Sequence, residues 1–135
     1  MDKLIEIALP LTEINDAAIR EKAGKAGHPA NLHMWWGRSP LSSSLATLSA
    51  ALLDFSAETV SDDMMLIENI ASCDKKALEA VRGRLNACGA LPTVWDAFAG
   101  FGGIPIAAGK LGLKSAANDL NPVAAMLVKA AVDIP

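Results

Sequence analysis

Apolar positions recur along this chain with two different rhythms. Through residues 1–90 they mostly return every three or four positions, the spacing of one helix face. From residue 91 the pattern shifts to short apolar runs closed by glycine or an acid, which reads as short buried strands alternating with helices. The shift divides the chain into a mainly helical N-terminal domain, 1–90, and the incomplete start of an α/β domain, 91–135.

Residues 4–11 form an apolar run broken by Pro10 and are expected to be extended. A helix is predicted over 12–25, with Thr12 as N-cap, Ile14, Ala18 and Ile7 facing inward, and Gly24 and Gly27 as its stop. Ser39 and Pro40 open the next helix as N-cap and first helical residue. Leu41, Leu45, Leu48, Leu52 and Phe55 make its buried stripe. Ser42, Ser43, Ser44, Thr47 and Ser49 make its other face small and polar, suited to close packing on a sheet. Residues 54–63 read as a polar break. Two more helices are predicted: one over 64–71, and one capped by Asp74, with Leu78, Val81, Leu85 and Cys88 inward and Gly89 as the stop. This stretch reads as a helical insert.

Beyond it the pattern predicts a strand over 94–98, a helix over 104–111 with Pro105 in its first turn, and a second strand over 113–117. Asn118 and Asp119 sit at that strand's tip. Asn121 and Pro122 then start a helix over 123–132. This β-α-β-α order predicts parallel strands joined by a right-handed crossover.

Composition narrows the field. Apolar residues make up 52% of the 135, enough for a packed core. The net charge of −3 argues against this chain alone gripping DNA, since nucleic-acid binders usually show a basic surface. Cys73 and Cys88 form no C-x-x-C pair and read as reduced, buried, small hydrophobes. With no signal peptide and no apolar run of membrane length, the chain reads as cytoplasmic and not membrane-bound. The methionines near residue 65 read as core packing.

One stretch fits neither rhythm: Gly27-His28-Pro29-Ala30-Asn31-Leu32-His33-Met34-Trp35-Trp36-Gly37-Arg38-Ser39-Pro40-Leu41. It holds both histidines and two of the three tryptophans. Around it Arg20, Lys22, Lys25 and Arg38 face one acid, Glu21. Such a segment walls a site more often than it merely connects. The plainer alternative has Trp35 and Trp36 plugging the core.

The densest chemistry lies at Asp96-Ala97-Phe98-Ala99-Gly100-Phe101-Gly102-Gly103. Glycines here permit positive φ and close backbone approach, and the turn aims amide groups of the next helix at a ligand. The spacing is G-x-G-G, not the dinucleotide G-x-G-x-x-G. Asp96 beside it repels phosphate and suits a cationic ligand, such as the sulfonium and amino group of S-adenosylmethionine. Asp119, at the neighbouring strand tip, is placed to accept from the ribose hydroxyls, with Asn118 or Leu120 flanking the adenine. A glycine turn without ligand, or a phosphate site, remains as an alternative.

This stretch resembles the D-P-F-A-G-G-G-S cofactor motif of amino-methylating DNA methyltransferases, with Ala97 in place of Pro and Phe101 in place of a small residue. Asp119-Leu120-Asn121-Pro122-Val123-Ala124 is similar to the D-L-N-P-V-A of adenine-specific DNA methylases that carry a zinc ribbon. That branch opens with an N-terminal domain of unknown function whose G-H-P-S-T-L-H-L-W-W-A-R-R-P-L is similar to residues 27–41, Ser39 standing in place of the second Arg. The resemblance implies a partial Rossmann-like S-adenosylmethionine-dependent methyltransferase fold, its first two parallel strands preceded by the helical region. It also implies a cofactor site made of Asp96, Phe98, Gly100, Gly102, Asp119, Leu120 and Asn121, with His33, Trp36 and Arg38 cradling the methionine end. The D/N-P-P-Y motif that holds the target amine, and the zinc-ribbon cysteines, are absent from these residues. The expectation is therefore the cofactor-binding portion of a DNA adenine-N6 methyltransferase, inactive alone, contacting DNA through parts outside this chain. A cytosine-N4 target, or a non-catalytic assembly module that self-associates through the open sheet edge, is the alternative.

Overall fold

The computed structural model describes residues 2–22, 28, 31–89 and 91–133. The chain runs α1 (Leu4–Ile7), α2 (Leu11–Lys22), α3 (Leu41–Leu52), α4 (Val60–Ala71), α5 (Lys75–Ala87), β1 (Val94–Asp96), α6 (Gly103–Lys110), β2 (Ser115–Ala117) and α7 (Pro122–Val132). The architecture is mixed α/β and mostly helical. β1 and β2 pair in parallel, with Val94 opposite Ser115, Trp95 opposite Ala116 and Asp96 opposite Ala117. Among the described residues no helix is long and apolar enough to cross a membrane.

α3 is the hub, packed by α1, α2, α4 and α6. Leu41, Leu45, Ala46 and Ala50 are buried on it, and so are Ser42, Ser44 and Ser49. The small face does not pack on a sheet: Ser44 lies against α6, Ser42 faces Glu21 of α2, and Thr47 is exposed. A Cβ placed on Gly103 would stand 2.9 Å from Ser44 Oγ and 3.4 Å from the Ser39 carbonyl oxygen. The two helices approach this closely because each offers a residue with little or no side chain. One hydrophobic core joins both halves of the chain: Leu4, Ile14, Leu45, Ile67, Val81 and Leu85 meet Ala107, Leu111 and Leu113.

Several local expectations hold. Asp74 accepts from the Ala77 amide (2.9 Å) and caps α5, and Gly89 lies at φ +93° behind it. Asn121 accepts from the Val123 amide (2.9 Å) and caps α7, with Pro122 in the first turn. The end of α6 is closed by backbone geometry: Gly112, at φ +75°, follows it, and the Leu113 amide donates back to the Ala108 carbonyl.

Others are corrected. Residues 4–7 coil into α1, because Glu6 reaches back to accept from the Lys3 amide (3.1 Å). Just before α1, Lys3 pairs in extended fashion with Asp54. Ile7 is exposed. α2 begins at Leu11, one residue before the predicted cap, and its expected stop at Gly24 and Gly27 lies outside the described residues. α4 begins at Val60, inside the predicted polar break. Asp63 is 1% exposed there, accepting from Thr59 Oγ1 (2.8 Å) and pairing with Arg84 of α5. Both cysteines are exposed, because they fall at or beyond helix ends and not on the inward stripes. Strand β1 stops at Asp96, and Trp95 is 73% exposed, so one face of the two-stranded sheet is bare where a buried strand was expected.

Candidate functional site

The glycine turn between β1 and α6 has the left-handed geometry its sequence calls for. Gly100 lies at φ +52° and Gly102 at φ +93°. The turn is closed by the Gly102 amide donating to the Ala99 carbonyl (2.7 Å), and Gly102 is the N-cap of α6. Above Gly100 sits the Trp35 ring: a Cβ on Gly100 would stand 3.1 Å from Trp35 Nε1. Behind Gly102, a Cβ would meet Val128 of α7 at 3.0 Å. Glycine is required at both positions by conformation and by space.

Asp119 holds this turn from the side. The Gly100 amide donates to its Oδ2 (2.7 Å) and the Asn121 amide to its Oδ1 (2.8 Å). Those two backbone bonds, Asn121 first and Gly100 second, keep the carboxyl below its ordinary value. Asp96 Oδ1 accepts from the Phe98 amide (3.2 Å). Backbone pairing continues past the strands, the Asn118 amide donating to the Asp96 carbonyl and the Ala99 amide to the Asn118 carbonyl. The strand tips and the turn are thus one rigid corner.

The two acids open onto different cavities. Asp96 lines a space of about 260 Å³ together with Phe98, Gly100, Phe101, Gly103, Gly37 and Ser39. Asp119 lines a space of about 300 Å³ on the other side, walled by Asn118, Pro105 and α7 residues including Val128 and Lys129. Phe98, 90% exposed, stands at the mouth of the first cavity, whereas Phe101 is buried. Leu120 is fully exposed and Asn121 spends its side-chain oxygen on the α7 cap. His33, Trp36 and Arg38 come together, but in a third cavity that shares no lining residue with the first two. The ten residues expected at one site are therefore spread over several surfaces of one corner.

Two contacts escaped the sequence pattern. Trp35 covers the glycine turn, and Glu21 of α2 supplies the cap of α3. Glu21 accepts from the Leu41 amide (2.9 Å), the Ser42 amide (2.8 Å) and the Ser42 hydroxyl (2.9 Å), and His28 Nε2 lies 3.3 Å from it. The expected cap, Ser39, is displaced from that role: Pro40 is the N-cap residue and offers no side-chain acceptor. No local signal marks either contact, since each joins segments far apart in sequence.

Residues 8–81 match the model of a family described as "Protein of unknown function (DUF1156)". The match runs from the end of α1 into α5, so the helices read as an insert lie largely inside the family's own domain. It stops before the glycine turn. No curated protein and no solved structure matches the chain.

Proposed function

The chain belongs to the DUF1156 family of proteins of unknown function, and from that premise and the turn geometry we propose that it is the cofactor-binding N-terminal portion of an S-adenosylmethionine-dependent DNA adenine-N6 methyltransferase, with a partial Rossmann-like methyltransferase fold. The observation that carries the reading is the Asp96 cavity, where a carboxylate faces a left-handed glycine turn at the start of a helix. Its negative charge suits the cationic methionine end of the cofactor and disfavours a phosphate. The volume is slightly under that of most small-ligand pockets, so it takes one end of the cofactor and not the whole.

The bound cofactor would supply an activated methyl group. Asp96 would orient the amino and sulfonium end, and the first amides of α6 its carboxylate. Asp119 acts mainly as the latch that fixes the turn. Its carboxylate opens onto the cavity on the other side of the turn, so the ribose contact expected of it is not part of this reading.

Calorimetric titration of the full chain tests this. Saturable binding of S-adenosylmethionine is expected. Asp96→Asn, which removes charge but keeps shape, is expected to weaken S-adenosylmethionine by about tenfold or more and the uncharged-sulfur product S-adenosylhomocysteine by less. No saturable heat from a folded chain defeats the reading.

A second reading, a non-catalytic assembly module, is favoured by the bare sheet face. Trp95 on β1 and Leu120 just beyond β2 are both exposed, and open strand edges invite pairing. Sedimentation that shows concentration-dependent association, with no cofactor heat, would select it.

A further inference from the structure

Lys22 and residues within 31–38 line a cavity of about 490 Å³ whose chemistry differs from that of the glycine turn. Its described lining holds Lys22, Arg38, His33, Trp35 and Trp36, and no acid. Trp36 is 90% exposed, an unusual position for so large an apolar ring in a chain with an ample core. Its neighbour Trp35 is engaged against Gly100, and the two rings are tilted by 52° with centroids 6.0 Å apart. Trp36 therefore presents a ring that the fold itself does not cover.

The charge here runs against the chain's overall −3. Glu21 is the one acid between residues 20 and 38. Its carboxylate is turned inward, 10% exposed, and committed to the first amides of α3. What faces outward beside Trp36 is cationic. A bare indole next to cations fits a ligand with flat π-faces on an anionic backbone, which is the chemistry of a single nucleic-acid strand. A duplex hides its base faces in the stack and fits less well. The sulfonium of a cofactor is disfavoured by the same cations.

We infer that this cavity binds single-stranded nucleic acid, with a base stacked on Trp36 and phosphates neutralised by Lys22 and Arg38. The inference stands apart from the methyltransferase reading, because it uses no residue that lines the glycine-turn cavity.

Anisotropy of end-labelled single-stranded oligonucleotides, deoxyribo and ribo, titrated with the full chain at several salt concentrations, tests it. Saturable binding is expected, weakening as salt rises with a log–log slope of about −0.7 per phosphate neutralised. Trp36→Ala is expected to weaken binding about tenfold. Lys22→Ala is expected to flatten the slope by about 0.7. Both side chains are exposed, so circular dichroism is expected to be unchanged. Whichever backbone binds more tightly identifies the strand's source. The inference fails if the folded wild-type chain binds neither oligonucleotide, if Trp36→Ala binds as wild type does, or if only duplex is bound.

Discussion

A carboxylate at a strand tip can serve a ligand or its own backbone, and Asp119 shows how the balance is struck. Its two oxygens take amide protons from Gly100 and Asn121, which fixes the left-handed turn on one side and the start of α7 on the other. Because those bonds favour the ionised form, the folded-state pKa lies below the unfolded value of about 3.9. The stabilisation is therefore complete above that unfolded value. It is lost as pH falls through the lower folded one. Asp119→Asn puts an amide NH₂ where one of the two acceptors stood, so one backbone donor loses its partner at every pH. Faster amide exchange at Gly100 and Asn121 is expected in the variant at neutral pH. In wild type the same loosening appears only as pH falls through the lowered folded-state value. Equal exchange in the two proteins at neutral pH would remove the latch role. The acid itself was legible in the sequence, as the last residue of an apolar run. Its task was not, because its Gly100 partner lies 19 positions away across the sheet.

At the scale of elements the same division separates caps that are local from caps that are borrowed. Asp74 and Asn121 cap the helices they precede, within three residues, and both were readable directly. α3 has its cap from Glu21, twenty positions upstream on another helix. Ser39 matched the local pattern for the role, yet an anionic, nearly buried carboxylate that satisfies two amides and a hydroxyl is the stronger acceptor. It also sits at the positive end of the helix dipole. Glu21→Ala leaves those amides unpaired in a part-buried position. A loss of about 2 kcal/mol is expected, or roughly 6 °C in Tm. Glu21→Gln, which keeps one acceptor oxygen, is expected to fall between. Thermal unfolding followed by circular dichroism measures both, and an unchanged Tm for the alanine variant would show the cap to be dispensable. The start of α4 was hidden for the same reason. Asp63 reads as solvated in sequence and is buried in fact because Arg84 and Thr59 satisfy it.

At the scale of the whole molecule, the change of rhythm near residue 90 marks a change of element type without marking a break in the core. α3 and α6 belong to opposite sides of that change, yet Ser44 meets Gly103 at a distance where no side chain fits between them. Leu111 and Leu113 join the cluster built around Leu45 and Ile67. Arg82 of α5 donates to the Lys110 carbonyl at the end of α6 (2.7 Å), a further tie across the boundary. Each fully buried leucine or isoleucine in such a cluster contributes about 1.5–3 kcal/mol. Losing the α6 side would expose Ser44 of α3 along with several of those residues. The helical region and the strand–turn–helix corner are thus expected to unfold together, not as two independent units. Native-state amide exchange tests this at Ala46 and Ala50 of α3 and at Ala108 and Leu111 in and just beyond α6. Under cooperative unfolding the four report the same opening free energy, with the same dependence on denaturant. If the α6 amides open at markedly lower free energy, the corner is a separately folding unit, and the seam between Ser44 and Gly103 is a docking contact rather than part of one core.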